Sequence, residues 1–583
     1  MCGIMGIISQ DPLSDLLFEE AIKASKFTQH RGPDNFGYWK NTRSLIMHHK
    51  LSILDLSERS NQPIHKRDVI LSFNGEIYNW KKLIKQFNLK DCYFDGDVLI
   101  DLYNLMGIDF IKVLEGDFAI SIYDTNKEKV YLIRDRLGVK PLLYYYENNR
   151  LYYSSEVKFF NGITEVVLEP NYNKLLSDLA LWFWNDKEET YFRNIYNVEA
   201  GHYIEFDGKE IRNICYWDIP DNYYEGYSKD NIKKLLLDSV ESRTDTQNDL
   251  GYLLSGGLDS SLVVSMASRL NDKVDTYTIF YEGNENNTDY FHALQLISEN
   301  NNISNTVNKV SKENISMKML KYLSYQMEEV VWDKVYFSMF ENYRRSANDC
   351  KRIVITGQGS DEVWLGYYHD FPFFSLAEKD VNLDKLCDLF IEMNIKHKDF
   401  LTEEAYVIIK KSVYKIIQKI LNKRPNDSHL NKVAYWATKT YLISNLMQED
   451  RLSMAMSVET RSPFLNYNLV EAAFSLPDIQ KVNNGNEKYI LKQVGTSYLP
   501  TSITSRQKQA FVNPTSNYDD IISEFLDQHG LEIDTVPFFK SFFSEKFLKN
   551  IVQKNIDSEL LWKIVGILVF LNGFKGDGNF YYE

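Results

Sequence analysis

Cysteine is scarce in this chain of 583 residues, and the few copies form no pattern that would support a structural role. The five cysteines stand at positions 2, 92, 215, 350 and 387, with no CxxC pair and no Cys/His spacing typical of a metal site. We therefore expect neither a disulfide framework nor a zinc site, and the pattern suits a reducing compartment.

Long apolar runs and excess positive charge are also missing. The sequence has no run of about 18 apolar residues, and its start lacks the basic segment and apolar core of a signal peptide. We expect no membrane span and a cytoplasmic location. Lysine and arginine number 66 against 81 aspartate and glutamate residues, which gives a net charge of −15. Because an acidic surface repels phosphate groups, nucleic acid and anionic membranes are poor candidate partners.

The chain is longer than one hydrophobic core usually organises, so we expect two or more domains. Up to about residue 215, short apolar segments alternate with turns, which predicts stacked sheets with a few covering helices. From residue 231, helical periodicity alternates with apolar strands, which predicts a parallel sheet with crossover helices; after about residue 375 the pattern is mostly helical with no clear strand. The predicted strands are 4–8, 69–73, 118–123, 130–134, 142–146, 151–154, 250–254, 274–280 and 353–356, with a helix at 16–27.

Cys2 is the first residue with a chemical signal. Removal of Met1 would give it both a thiol and a free α-amine. A thiol is a strong nucleophile, and an α-amine, which titrates at about pH 8, can act as the adjacent base. The alternative interpretation is a small buried residue that happens to follow the initiator.

Asn74-Gly75-Glu76 is a second signal, because it follows a segment of apolar residues. A side-chain amide beside a glycine N–H can stabilise the oxyanion of a tetrahedral intermediate. The competing interpretation is a plain turn, since Asn-Gly is the commonest hairpin signal.

These residues belong to a series of motifs that resembles a known family. MCGI, RGPD, LSILDL, NGEIYN, GDFAI, RDRLGVKPLLYY and SSEVK occur in the order found in the N-terminal-nucleophile glutaminase domains of asparagine synthetases. The resemblance covers residues 2 to about 217 and implies an αββα sandwich, with Cys2 as the nucleophile and Asn74 and Gly75 as oxyanion stabilisers. The glutamine-binding residues that it implies are Lys50, Asn74, Glu76 and Asp95.

Two positions depart from the family pattern. Lys50 stands where the family usually has arginine, and lysine cannot form a bidentate fork with a carboxylate. Asp95 matches the family's acid, but its surroundings, FDGD, differ from the usual run. We expect weaker glutamine binding or a reshaped donor pocket, with the glutaminase activity retained.

A glycine-rich turn marks a second site in the segment LLSGGLDSS. An apolar strand leads into Ser255-Gly256-Gly257, and a helix is predicted to begin near Ser260, so backbone N–H groups and the helix N-terminus would face one anion. Asp259 would supply an oxygen ligand for Mg²⁺. The alternative interpretation is a tight strand-to-helix connection without a ligand. The turn is not a GxxxxGK[ST] loop, because no lysine follows the glycines.

SGGLDSS also resembles the pyrophosphate loop of the synthetase half of the same family, which cleaves ATP to AMP and pyrophosphate. The resemblance implies an α/β ATP-pyrophosphatase domain with a helical extension, and it places 449–451 and 458–465 beside the acceptor. The implied Mg²⁺ ligands are Asp259 and Asp361. The implied ATP-binding residues are Leu254, Ser255, Gly256, Gly257, Asp259, Ser260, Ile279, Thr356, Gly357 and Lys488, and Lys508 is implied as a catalytic cation near the phosphates.

The resemblance implies a glutaminase domain at 1–217 and a synthetase domain at 225–583, with ATP and Mg²⁺ as cofactors, and a homodimer is common in the family. The acceptor carboxylate is expected to be aspartate. Gln358 stands where asparagine synthetases commonly have glutamate, and it cannot serve as a carboxylate base. A uronic acid sugar or a peptide carboxylate is therefore a rival acceptor, and a protein that only hydrolyses glutamine or regulates through a bound nucleotide is an alternative of another class.

Overall fold

The computed structural model describes residues 2–221, 226–282, 288–311, 315–368, 383–508, 518–529, 533, 535–553 and 555–573. Met1 and position 225, where the synthetase domain is predicted to begin, lie outside these residues, as do parts of 375–440 and of the segment after 515. None of the described helices is long and apolar enough to cross a membrane.

The N-terminal part, residues 2–217, is built on two six-stranded antiparallel sheets. The first has the strand order β10-β8-β9-β1-β3-β2 and the second β12-β11-β7-β6-β5-β4. The elements are β1 (Gly3–Ser9), α1 (Asp15–Ser25), β2 (Asn35–Lys40), β3 (Ser44–Lys50), β4 (Ile64–Lys66), β5 (Val69–Ile77), α2 (Trp80–Phe87), α3 (Asp95–Met106), β6 (Gly116–Asp124), β7 (Lys129–Arg134), β8 (Leu143–Glu147), β9 (Arg150–Ser154), α4 (Lys158–Asn161), α5 (Tyr172–Leu181), β10 (Ile195–Asn197), β11 (His202–Phe206) and β12 (Ile211–Cys215).

The two sheets pack face to face because alternate side chains of their strands are apolar. Ile4 and Ile46 of the first sheet meet Ile70 and Leu132 of the second in one buried cluster. Helix α3 covers the outer face of the second sheet, and α1, α4 and α5 cover the first. The predicted αββα sandwich is therefore what the chain forms.

The C-terminal part, from residue 226, surrounds a five-stranded sheet of order β15-β14-β13-β16-β17, in which all neighbours are parallel. Its first elements are α6 (Lys229–Thr244), β13 (Leu250–Leu253), α7 (Leu258–Leu270), β14 (Val274–Tyr281), α8 (Thr288–Ser298), β15 (Ile303–Val310), α9 (Met317–Met327), α10 (Val335–Asn348), β16 (Ile353–Ile355) and α11 (Ser360–Val363). Helices then follow, with one strand: α12 (Leu383–Asn394), α13 (Glu403–Lys423), α14 (His429–Lys439), α15 (Tyr441–Met454), β17 (Glu459–Arg461), α16 (Tyr467–Ser475), α17 (Asp478–Lys481), α18 (Tyr489–Gly495), α19 (Thr501–Thr504), α20 (Asp519–His529), α21 (Pro537–Phe542), α22 (Glu545–Val552) and α23 (Ser558–Gly573).

The nine predicted strands are confirmed, with ends that move by a few residues. The competing interpretation of Asn74-Gly75 as a plain turn is excluded, because β5 continues through the pair and pairs with β6 as far as Ile77. One prediction is wrong. The helical segment after 375 does contain a strand, β17, which is only three residues long and therefore too short to show alternation.

The two parts share a continuous buried interface. One hydrophobic cluster runs from α1 and α5 into the core of the C-terminal sheet. Polar contacts add to it: the Glu328 carboxylate accepts from the N–H groups of Val157 and Lys158 at 2.8 and 2.7 Å. Sites on either side of the interface are thus held in fixed relation.

Candidate active sites

Cys2 lies immediately before β1, where its backbone nitrogen meets the side chain of Asn74 on β5. Cys2 N donates to Asn74 Oδ1 at 2.8 Å. Because Oδ1 accepts this bond, the amide nitrogen Nδ2 points away from Cys2 N. Nδ2 is buried and has no hydrogen-bond partner in the part of the chain that the structure describes. A buried donor without a partner is costly, so the arrangement fits a site where a ligand oxygen completes the pairing.

Gly75 supplies a second donor beside Asn74. Its cross-strand neighbour Phe118 donates its N–H to Asp135 Oδ2 at 3.3 Å, and the Phe118 carbonyl accepts from Asp135 N at 2.8 Å. Neither backbone group of Phe118 therefore pairs with Gly75, and the Gly75 N–H faces away from β6. The position also requires glycine, because its φ is +143° and a Cβ would lie 2.1 Å from Asp117 O. The side-chain amide and the glycine N–H therefore sit together next to Cys2, as the sequence predicts.

A cavity opens beside Cys2 and is lined by four of the other predicted residues, Lys50, Gly75, Glu76 and Asp95. Lys50 Nζ donates to Ser57 O, Ser60 Oγ and Asn61 Oδ1 at 2.8 to 3.0 Å. All three acceptors are neutral oxygens, so they orient the ammonium without neutralising it, and its charge is available to a bound carboxylate.

Two residues of the C-terminal part complete this cavity. The sequence did not predict them for this site. Glu459 lines the cavity, and Arg461 Nη2 lies 2.9 Å from Glu76 Oε2 and Arg461 Nε 2.6 Å from Glu459 Oε1. Both stand on β17, in the motif VETRSPFL, which the resemblance links to the acceptor instead. Only the fold, which brings the Arg461 side chain to Glu76, could reveal this second role.

The acid groups of this cavity have displaced pKa values. Burial, together with the charges of Asp95 and Glu459, raises the pKa of Glu76 to about 8 against the effect of Arg461. Burial raises the pKa of Asp95 to about 7, although the N–H groups of Ile77 and Gly96 donate to its carboxyl. Burial also raises the pKa of the Cys2 thiol. The net charge of the cavity therefore changes near neutral pH, as Glu76 and Asp95 titrate.

The glycine-rich turn lies at the carboxyl end of β13, where helix α7 begins at Leu258. Ser255 Oγ and Ser260 Oγ are 2.9 Å apart across the turn. A cavity of about 450 Å³ opens here and is lined by nine of the ten predicted ATP-binding residues: Leu254, Ser255, Gly257, Asp259, Ser260, Ile279, Thr356, Gly357 and Lys488. Gly256 is the exception, since it faces α8, where a Cβ would lie 1.9 Å from Asp289 O.

Two carboxylates converge on one cation in this cavity. Lys488 Nζ lies 2.6 Å from Asp259 Oδ2 and 2.5 Å from Asp361 Oδ1, and Lys508 Nζ lies 2.9 Å from Asp361 Oδ2. Burial opposes ionisation of Asp361, yet the charges of Lys488 and Lys508 lower the pKa of its carboxyl. A pair of carboxylates beside a glycine-rich turn is the donor set that Mg²⁺ takes together with phosphate oxygens, so these residues fit that ion.

One face of helix α15 forms the far wall of the same cavity. Tyr441, Asn445, Gln448 and Glu449 recur at helical spacing and all line it. Burial raises the pKa of Glu449 to about 7, while Thr356 and Tyr343 donate to its carboxylate. Gln358 also lines the cavity, and its backbone oxygen accepts from Ser462.

Comparison with known proteins identifies the family. The profile of asparagine synthase matches residues 231–572, and that of the glutamine amidotransferase domain matches residues 1–217. The chain belongs to the asparagine synthase family. It is 30% identical to asparagine synthetase [glutamine-hydrolyzing] 2 of Bacillus subtilis over 88% of this chain and 72% of the relative, and 26% identical to that organism's asparagine synthetase 1 over 89% and 88%. It is also 25% identical to the amidase chry2 of Gibberella zeae, over 88% of this chain and 89% of the relative.

Membership in this family makes the chain an ATP-consuming amide ligase that takes its nitrogen from glutamine. In this asparagine synthase family member, strand β17 connects the two cavities. The Arg461 side chain reaches Glu76 in the first cavity, and the Arg461 backbone oxygen accepts from Thr356 N at 2.9 Å beside the second. A displacement of β17 would therefore change the geometry of both cavities.

Proposed function

We propose that Cys2 hydrolyses glutamine in the N-terminal cavity, within a glutaminase domain at 1–217. With Met1 removed, the Cys2 amine accepts the thiol proton, the sulfur attacks the glutamine amide carbon, and the proton leaves with ammonia. Asn74 Nδ2 and Gly75 N–H donate to the oxyanion. Water then releases glutamate from the thioester. The observation that carries this assignment is the buried, unpartnered Asn74 Nδ2 next to Cys2.

Glutamine's own charges are matched by the same cavity. Lys50, held by three neutral oxygens, pairs with the α-carboxylate, while Glu76 and Asp95 face the α-ammonium. The single point charge of Lys50 gives one contact where an arginine would give two. This supports glutamine binding that is weaker than a bidentate site would give.

In the second cavity, within a synthetase domain at 225–583, an acceptor carboxylate attacks the α-phosphate of ATP. An acyl-adenylate and pyrophosphate result, and ammonia then displaces AMP. The 255–260 turn holds phosphate oxygens, and Lys508 stabilises the charge on the leaving pyrophosphate. Mg²⁺, held by Asp259 and Asp361, would neutralise phosphate charge when bound.

Aspartate is the acceptor that the names of the asparagine synthetase relatives favour. Another carboxylic acid, such as a uronic acid sugar or a peptide carboxylate, is the second candidate. Two observations support it: Gln358 lines the cavity without offering a carboxylate base, and relatives named amidases share most of the chain.

The test is pyrophosphate release from Mg-ATP and glutamine across a panel of acids that includes aspartate and uronic acid sugars. Release with aspartate, together with asparagine in the mass spectrum, is the expected result. Turnover with another acid alone would transfer the assignment to that acceptor and make Gln358→Glu the first specificity variant. Absence of release with every acid would refute the ligase assignment.

Two further measurements test the remaining expectations. Light scattering after size-exclusion chromatography would test the predicted homodimer, and cell fractionation would test the cytoplasmic location.

A further inference from the structure

The ATP cavity does not end at its predicted residues, because a series of aromatic rings extends it. Lys508 Nζ lies 5.8 Å from the ring centre of Tyr367, and the Tyr367 ring lies 5.2 Å from that of Tyr441. Phe183 follows at 5.3 Å from Tyr441, and Trp182 stacks on Phe183 at 4.7 Å. All of these residues line the one cavity. The wall therefore runs without interruption from the phosphate end to Trp182.

Trp182 and Phe183 come from the N-terminal part, directly after helix α5, although the cavity lies in the C-terminal part. Trp182 has φ 55° and ψ −131°, a backbone region that a bulky side chain rarely adopts. Residues held in such conformations concentrate at functional sites, where the surrounding structure compensates for the strain. Holding Trp182 here thus costs free energy that a simple turn would avoid.

The polar end of Trp182 is also unsatisfied. Its indole Nε1 is buried and has no hydrogen-bond partner among the described residues. On the ring itself, Lys563 Nζ lies 5.3 Å from the centroid, and Asn394 Oδ1 accepts from the same ammonium at 3.0 Å. The cation holds the indole in place, while the N–H donor is left without an acceptor.

The distance between the two ends of the cavity exceeds the length of a short acid. Tyr441 and Glu449 are eight residues apart on one face of α15, which corresponds to about 12 Å along the helix. The carbon skeleton of aspartate spans roughly 4 Å, since each C–C bond is about 1.5 Å. An acid activated beside Glu449 must be longer than aspartate to reach Tyr441 and Trp182.

The charges at the two ends also differ. Among the described lining residues, the cations are Lys488, Lys492, Arg506 and Lys508, and each is paired with a carboxylate at the phosphate end. The aromatic end offers Trp182, Phe183, Tyr367 and Tyr441, together with Asp333, whose pKa is raised by burial. An uncharged group therefore fits this end better than a second carboxylate does.

We propose that Trp182 and Phe183 form a distal acceptor subsite that takes carboxylic acids longer than aspartate, with an aromatic or apolar distal group that carries a hydrogen-bond-accepting oxygen. This inference rests on the proposed ligase function. The indole N–H donates to the distal oxygen, and the rings of Phe183 and Tyr441 contact the apolar body. Short acids such as aspartate do not touch Trp182.

The experiment compares kcat/KM for three acids, aspartate, 8-phenyloctanoic acid and its para-methoxy derivative, in the full-length wild type and in variants. In the wild type we expect pyrophosphate release with both longer acids. Trp182→Phe keeps a ring but removes the N–H, so kcat/KM should fall about tenfold for the methoxy acid and stay within about twofold for 8-phenyloctanoic acid. Trp182→Ala should weaken both longer acids and leave aspartate unchanged. Trp184→Phe, on the same turn but outside the cavity lining, is the matched control.

Each outcome has one meaning. Reaction of aspartate without either longer acid would overturn the subsite, as would equal kcat/KM values in wild type and both Trp182 variants. A rise in the KM for ATP in Trp182→Ala would show that the ring holds the nucleotide, which also overturns it. Reaction of the longer acids without aspartate would refute the aspartate assignment alone. No release with any acid would refute the ligase function and the subsite together.

Discussion

Arg31 and Asp450 form a buried ion pair across the interface between the two parts of the chain, with Arg31 Nη1 2.7 Å from Asp450 Oδ2. The same guanidinium donates to the backbone oxygen of Cys2 at 3.1 Å and to Glu156 at 2.9 Å. Asp450 is next to Glu449 on helix α15, one face of which lines the proposed ATP cavity. Cys2, the proposed nucleophile, is thereby connected through two side chains to a wall of the second cavity.

Replacing Asp450 by asparagine should uncouple the two activities. The change leaves part of the Arg31 charge unpaired in a buried place, which costs about 3 kcal/mol of folding stability and loosens the interface. We expect the ratio of glutamate formed to pyrophosphate formed to rise severalfold, and the midpoint of thermal unfolding to fall. Both are measured on the same preparation.

The exposed pair Asp34–Arg352 provides the matched control, since it also joins the two parts, at 2.5 and 3.2 Å. An exposed ion pair contributes about 0 to 1 kcal/mol, so Asp34→Asn should change neither the product ratio nor the midpoint appreciably. Equal effects of the two substitutions would show that burial of the Arg31 pair has no special role in coupling.

Cys2→Ala should abolish glutamine hydrolysis and spare the synthetase reaction when ammonium is supplied. The substitution removes the nucleophile, while the second cavity contains no part of Cys2. Glutamate release is assayed with glutamine, and pyrophosphate release with ammonium chloride at about pH 8. Cys92→Ala, at a half-buried cysteine outside both cavities, should behave as the wild type in both assays. Residual glutaminase activity in Cys2→Ala would exclude Cys2 as the nucleophile.

The KM for glutamine should depend on pH through Asp95 and Glu76. Their pKa values are raised to about 7 and about 8, chiefly by burial, so both carboxyls are largely protonated at about pH 6 and ionised at about pH 9. Since the ionised forms attract glutamine's ammonium, KM should fall severalfold between about pH 6 and about pH 8, below the pH at which the ammonium itself loses its proton. In Glu76→Gln the decrease should be smaller. A KM that is independent of pH in the wild type would contradict this assignment.

The same two groups should lower stability as the pH rises. A folded-state pKa above the unfolded value means that the folded form binds the proton more tightly, so the stabilisation is complete below about pH 4 and is lost as pH rises through 7 to 8. Glu76→Gln removes one of these titrations. The unfolding midpoint of the variant, relative to that of the wild type, should therefore be higher at about pH 8 than at about pH 5.

Local sequence was sufficient for the residues that act within one motif. Cys2, Asn74 and Gly75 occur beside strand-like segments, and the structure brings them together. The contributions of Arg461 to the first cavity and of Trp182 to the second could not be predicted, because each crosses the interface between parts that are distant in sequence. Strand β17 shows the same limit: its three residues carry no periodicity, and pairing with β16 alone makes it a strand.

Lys508→Ala should lower pyrophosphate release about a hundredfold or more without affecting the glutaminase. The ammonium is held 2.9 Å from Asp361 Oδ2, and nearby carboxylates raise the pKa of Lys508 despite its burial, so the cation persists across the working pH range. A fixed cation of this kind stabilises the charge that develops on the leaving pyrophosphate more than it stabilises bound ATP, so kcat should fall while the KM for ATP changes little.

Lys492→Ala is the control for this prediction, because Lys492 lines the same cavity but its Nζ lies 3.0 Å from Glu487 Oε1 instead of beside Asp361. Its loss should reduce kcat by less than about tenfold. Lys508→Arg, which keeps the charge but spreads it over a larger group, should fall between the wild type and Lys508→Ala. If Lys508→Ala instead raised the KM for ATP and left kcat intact, Lys508 would bind ATP and the transition state equally. Stabilisation of the leaving group would then have to be assigned to Lys488, which bridges Asp259 and Asp361.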